Sequence, residues 1–70
     1  MQLSLLSNDC YPNKTCPAVY DTDTDDLLVQ GRQVTDPAAL AALEVPEHET
    51  VALVPRSVVY EAARRLGWLP

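Results

Sequence analysis

The strongest pattern of apolar and polar positions lies in residues 50–68, TVALVPRSVVYEAARRLGW, where a continuous apolar run gives way at Pro55 to a helical period. At about 100° per residue, Val58, Val59, Ala62, Ala63 and Leu66 fall within an arc of roughly 140°, and Ser57, Glu61, Arg64 and Arg65 fill the other side. The spacing predicts a helix over 56–66 with one face for a core and one for water. Glu61 stands one helical turn before Arg65, in the favourable order, and Arg64 and Arg65 in the last turn complement the macrodipole. Pro55 sets φ at the start, and Gly67 is the stop, with Trp68 placed to fold back as in a Schellman end. Residues 50–54 are β-branched and apolar without alternation, which predicts a strand covered on both faces or central in its sheet, ended by Pro55.

The earlier chain reads more loosely. Residues 1–9 are either a frayed terminus or an edge strand in which Leu3 and Leu5 share a face. Residues 10–17, CYPNKTCP, are loop or turn. Residues 18–21 and 27–34 form two strands of an antiparallel hairpin around the acidic connection 22–26, and a bulge or bend near Gly31 is needed to bring Val34 to the face of Leu27 and Val29. Asp36 followed by Pro37 is a helix start, an acceptor at the N-cap and then a proline in the first turn. The AALAAL body carries Ala39, Leu40 and Leu43 on one face, Val45 and Pro46 end it, and residues 47–49 are an acidic link. The order is thus β-β-α-β-α, with an extra amino-terminal strand left open. This is an α+β fold in which a small antiparallel or mixed sheet has two helices packed on it.

Length makes this a single domain over residues 1–70, small enough that oligomerisation is a common source of added stability. The apolar fraction of 47% belongs to a folded domain, not a disordered tail. The net charge of -5 argues against a surface that neutralises phosphates, so direct nucleic-acid binding is not expected. Only Arg56, Arg64 and Arg65 make a locally basic region, and it reads as a solvated helix face. The amino terminus lacks the pattern of a signal peptide, and no segment has transmembrane length, so a cytoplasmic location without membrane contact is the expectation.

Candidate chemistry is sparse. Cys10 and Cys16 are spaced too widely for a C-x-x-C redox motif, and His48 is the sole histidine. A metal- or thiol-responsive site built on Cys10, Cys16 and His48 is the alternative reading, set against separate structural thiols. Asp21, Asp23 and Asp25 mimic the start of a calcium loop, but Asp26 and Arg32 stand where an EF-hand requires glycine and glutamate. Ser57 lies in no nucleophile elbow, there is no phosphate loop, and neither enzymatic activity nor a cofactor is expected.

Residues 16–55 carry a further signal: Cys16-Pro17 before Val19-Tyr20, then Leu28-Val29-Gln30-Gly31, Val34-Thr35-Asp36-Pro37 and Glu49-Thr50-Val51. In these phrases the chain resembles a group of short, uncharacterised actinobacterial proteins, themselves similar to small partner proteins found beside helix-turn-helix regulators. The resemblance implies a regulatory accessory role, with a DNA-binding regulator as one partner, and transfers no active-site residue. The expectation is therefore a cytoplasmic interaction module that binds another protein or its own copy, contacting it through Tyr60, Arg64, Trp68 and Leu69, where aromatic and arginine anchors gather. A purely structural homo-oligomer is the second alternative.

Overall fold

The computed structural model describes residues 1–9 and 17–70. Strands β1 (Leu3–Asn8), β2 (Ala18–Thr22) and β3 (Leu28–Gln30) form an antiparallel sheet in that order. Strands β4 (Arg32–Gln33) and β5 (Ala52–Leu53) form a second antiparallel pair, and helices α1 (Pro37–Ala42) and α2 (Arg56–Arg65) flank β5 in sequence. The α+β class and the β-β-α-β-α order are those expected, with β1 as the extra strand. No described helix is long and apolar enough to cross a membrane.

The choice at the amino terminus resolves in favour of an edge strand. Leu3 and Leu5 lie opposite Thr22 and Tyr20, and the register shifts between Leu5 and Ser7, so that Leu6 is the extra residue of a bulge. That shift changes which side chains face α2. Ser7 now lies opposite Val19, itself opposite Val29 on β3, and Leu6 packs beside Val19.

The core is small and has one centre. Val58 and Ala62, one turn apart on α2, sit on Val19 with Leu6 against them, and all but Leu6 are fully buried. The predicted helical arc was wider than the sheet beneath it. α2 packs mainly across β1 and β2, with Ala63 and Leu66 half-buried and Val59 still 50% exposed.

Both ends of α2 follow from local chemistry. Pro55 is the N-cap, one position earlier than the first helical residue, and its carbonyl accepts from the Val58 amide at 3.1 Å. At the other end Gly67 has φ 77°, the Trp68 amide donates to the Ala63 carbonyl at 3.0 Å, and the Gly67 amide donates to Arg64 at 3.1 Å. These two bonds are the Schellman pattern, which requires the left-handed residue that glycine supplies. Trp68 does not fold back on the helix as expected; it is 66% exposed.

Two other expectations are corrected. The apolar run 50–54 is not a strand covered on both faces: only Ala52 and Leu53 pair, with Gln33 and Arg32, and both are exposed. Continuous hydrophobicity did not signal centrality, because a two-stranded ribbon offers each strand only one neighbour. Helix α1 has its expected cap, the Ala38 amide donating to Asp36 Oδ1 at 3.2 Å, yet it buries none of its residues. Its six residues are fewer than two turns, too short an apolar stripe to cover the sheet as α2 does. Among the described elements, α2 is the helix packed on the three-stranded sheet through buried side chains.

The bend expected near Gly31 is a switch between sheets. β3 ends at Gln30, β4 begins at Arg32, and the intervening glycine lies against the end of β5 and Val54 just beyond it. A Cβ at Gly31 would overlap the Leu53 carbonyl oxygen and come within 2.7 Å of Val54 Cγ1. Gly31→Ala is therefore expected to lower the free energy of unfolding by about 1 to 3 kcal/mol in a urea titration. Unchanged stability in that variant would contradict the close approach.

Candidate functional site

The solvent face of α2 and the chain just beyond it hold the residues expected to make contacts. Tyr60 and Arg64 are separated by one helical turn and share a face, both exposed, while Trp68 and Leu69 follow the Schellman turn. Tyr60 is 62% exposed, too open for a core residue, and none of these four side chains is needed to cover Val58 or Ala62.

The charge pattern of this face is more ordered than the spacing of Glu61 and Arg65 foretold. Arg64 grips Glu61 bidentately, Nη2 to Oε1 at 2.6 Å and Nε to Oε2 at 2.9 Å, and Arg65 Nε donates to Oε1 at 3.1 Å. One carboxylate thus holds two guanidinium groups in place. Hydrogen bonds from Arg64 and then Arg65 lower the Glu61 pKa to about 2, and the same bond raises that of Arg64. The helical pairing rule finds Arg65 at i+4 directly; Arg64 at i+3 follows the same rule and is the stronger partner.

A second feature was not foreseen from sequence. An open groove of about 620 Å³ runs between the end of β1 and the first half of α2, lined by Ser7, Asn8 and Asp9 on one side and Arg56, Ser57 and Tyr60 on the other. Ser7 is buried and Tyr60 forms an exposed wall. The bulge at Leu6 was the missing signal, because it decides which face of β1 meets the helix and does not show in a short apolar run.

The residues of the alternative metal or thiol site are not brought together by anything described. His48 stands at the tip of an exposed turn closed by the Glu49 amide on the Pro46 carbonyl at 3.0 Å. Cys10 and Cys16 lie outside the described residues. Among the described residues no group of three His, Cys, Asp or Glu side chains is disposed to hold a metal ion.

The acidic connection between β2 and β3 is organised by threonines. Thr22 Oγ1 donates to the Asp26 carbonyl at 2.6 Å, lies 2.7 Å from Thr24 Oγ1 and accepts from the Thr24 amide at 3.1 Å. Two carboxylates turn inward to backbone donors: Asp21 Oδ1 accepts from Thr22 at 3.0 Å and Asp23 Oδ1 accepts from Gln2 at 3.1 Å. Hydroxyl bonding at this spacing is the usual way such residues close a turn.

No protein-family model, curated protein or solved structure matches this chain.

Because the pKa of Glu61 is depressed in the folded chain, its contribution to stability is fully present above the ordinary value of 4.5 and is lost as pH falls through about 2. Exposure to solvent keeps the effect small. In an acid titration followed by circular dichroism, Glu61→Gln should lose the part of the helix signal that changes over this window. An acid limb identical to that of the unsubstituted chain would contradict the pairing.

Proposed function

We propose that this chain is a cytoplasmic protein–protein interaction module with a regulatory accessory role, and that its contact surface is the carboxyl end: Tyr60, Arg64, Trp68 and Leu69. The observation that carries the reading is the disproportion between core and surface. Among the described residues four apolar side chains are buried, whereas Tyr60 and Trp68, the largest side chains of the carboxyl end, are 62% and 66% exposed. Burying an aromatic ring against a partner is among the larger favourable terms open to a small interface, and arginine is enriched beside such rings.

Arg64 suits this role because Glu61 already fixes its guanidinium, which reduces the side-chain ordering that binding costs. The contact end is locally basic, with Arg56, Arg64 and Arg65 against Glu61 in a chain of net charge -5, which favours a partner with acidic surface near the contact. The resemblance of residues 16–55 to short actinobacterial proteins, themselves similar to partners of helix-turn-helix regulators, makes a DNA-binding regulator the first partner to test, with nucleic acid held by that partner and not by this chain.

Tyr60→Ala and Arg64→Ala are each expected to weaken capture of a stoichiometric partner by about tenfold or more, with circular dichroism confirming that both variants remain folded. Partner binding unchanged in both folded variants would remove this surface from the account.

A further inference from the structure

The free edge of β1 is built to pair with a copy of itself. The Asp9 amide donates to the Pro17 carbonyl at 3.0 Å, which fixes the alternation from Pro17 along β2: Pro17, Val19 and Asp21 turn their backbone groups toward β1, and Ala18 and Tyr20 turn theirs toward β3. On β1, Ser4 lies opposite Asp21, while Leu3 and Leu5 lie opposite Thr22 and Tyr20. The N–H and C=O groups of Leu3 and Leu5 therefore point away from the sheet, where no other described strand pairs with them.

Their side chains are equally unfinished. Leu3 and Leu5 share the sheet face of Tyr20 and Leu28, opposite the face on which Val19 meets α2, and both leucines are 49% exposed. The whole chain exposes 5904 Å². A folded monomer of 7.7 kDa should expose about 4,300 Å². The seven residues outside the description can account for at most about 700 Å² of the difference, which leaves an excess of the order of 900 Å². That excess belongs to the whole chain, with Leu3 and Leu5 among its contributors, and is comparable to the ~800 Å² that each partner buries in a stable complex.

We propose that β1 pairs antiparallel with the β1 edge of a second copy about a two-fold axis at Ser4, joining the two three-stranded sheets into one. Leu3 of each copy then exchanges backbone hydrogen bonds with the second copy's Leu5, and the leucines of both copies meet on the face opposite α2. The bulge at Leu6 ends the ladder after Leu5. Charge selects the antiparallel arrangement. The acidic turn sits at the Leu3 end of β1, where Asp23 accepts from the Gln2 amide, so antiparallel pairing sends the two turns to opposite ends of the interface. This pairing stands apart from the carboxyl-end contact proposed above.

The test is sedimentation of the full chain from micromolar to millimolar concentration, alone and as Leu5→Pro, with hydrogen exchange read at the Leu3 and Leu5 amides. Proline at this position removes only a donor that points away from β2, so the sheet within each copy is retained. The expected result is a concentration-dependent dimer, slowed exchange at both amides in the dimer, and a dissociation constant raised at least about tenfold by Leu5→Pro. A monomer throughout, or a dimer whose Leu3 and Leu5 amides exchange as freely as those of a monomer, overturns the proposal. So does a folded Leu5→Pro chain that dimerises as before. The exchange result decides the matter even where Leu5→Pro does not fold. A monomer here leaves the carboxyl-end reading intact, since that surface fails only if Tyr60 and Arg64 prove dispensable for partner binding.

Discussion

The packing of Val58 and Ala62 on Val19 is the interaction on which the rest of the structure depends. It joins α2, the only described helix with a buried stripe, to the three-stranded sheet. Removing apolar contacts here has little reserve behind it, because among the described residues the one other buried apolar residue is Ala18. A domain of this size lives on a thin margin between burial and chain entropy. What the chain leaves exposed therefore carries as much information as what it buries.

The two sheets divide the molecule's work. The three-stranded sheet and α2 form the packed part; β4, β5 and α1 form a lighter part tied to it through Gly31, whose missing side chain admits the backbone of Leu53. The light part is held more by turn chemistry than by a core, as the Asp36 cap and the turn beneath His48 illustrate. The packed part carries both candidate contact regions, the outer face of α2 and the free edge of β1. Binding residues mounted on a helix and a strand are held more firmly than residues on a loop, so less ordering remains to be done on contact.

How far these features were legible in the sequence depended on whether they were local. The period of 56–66, the Asp36-Pro37 start, the Gly67 stop and the break at Gly31 all follow from properties of one residue and its near neighbours, and each stands where it was expected. The breadth of α2's buried stripe and the burial of residues 50–54 depend on how much sheet lies opposite, which no local pattern states. Leu53 is apolar and lies between Ala52 and Val54 in an apolar run, yet it sits half exposed in a two-residue strand. The same reason hid the groove beside Tyr60: it exists because a bulge at Leu6 turns β1, and a single inserted residue in an apolar run leaves no mark on the period. For the contact residues at the carboxyl end, the sequence showed their type and their place near the end of the chain, while the face that Tyr60 and Arg64 share and the exposure of all four became known only from the fold.

The central claim is that the exposed surface of this small domain is completed by another polypeptide. Native mass spectrometry of the protein isolated gently from its own cells tests it most directly, because bound chains and bound metal are read in one spectrum. The account predicts an assembly of fixed stoichiometry, with a second copy or a distinct protein accompanying the 7.7 kDa chain. A bare monomer carrying one zinc ion would contradict it and would move Cys10, Cys16 and His48 to the centre of the explanation.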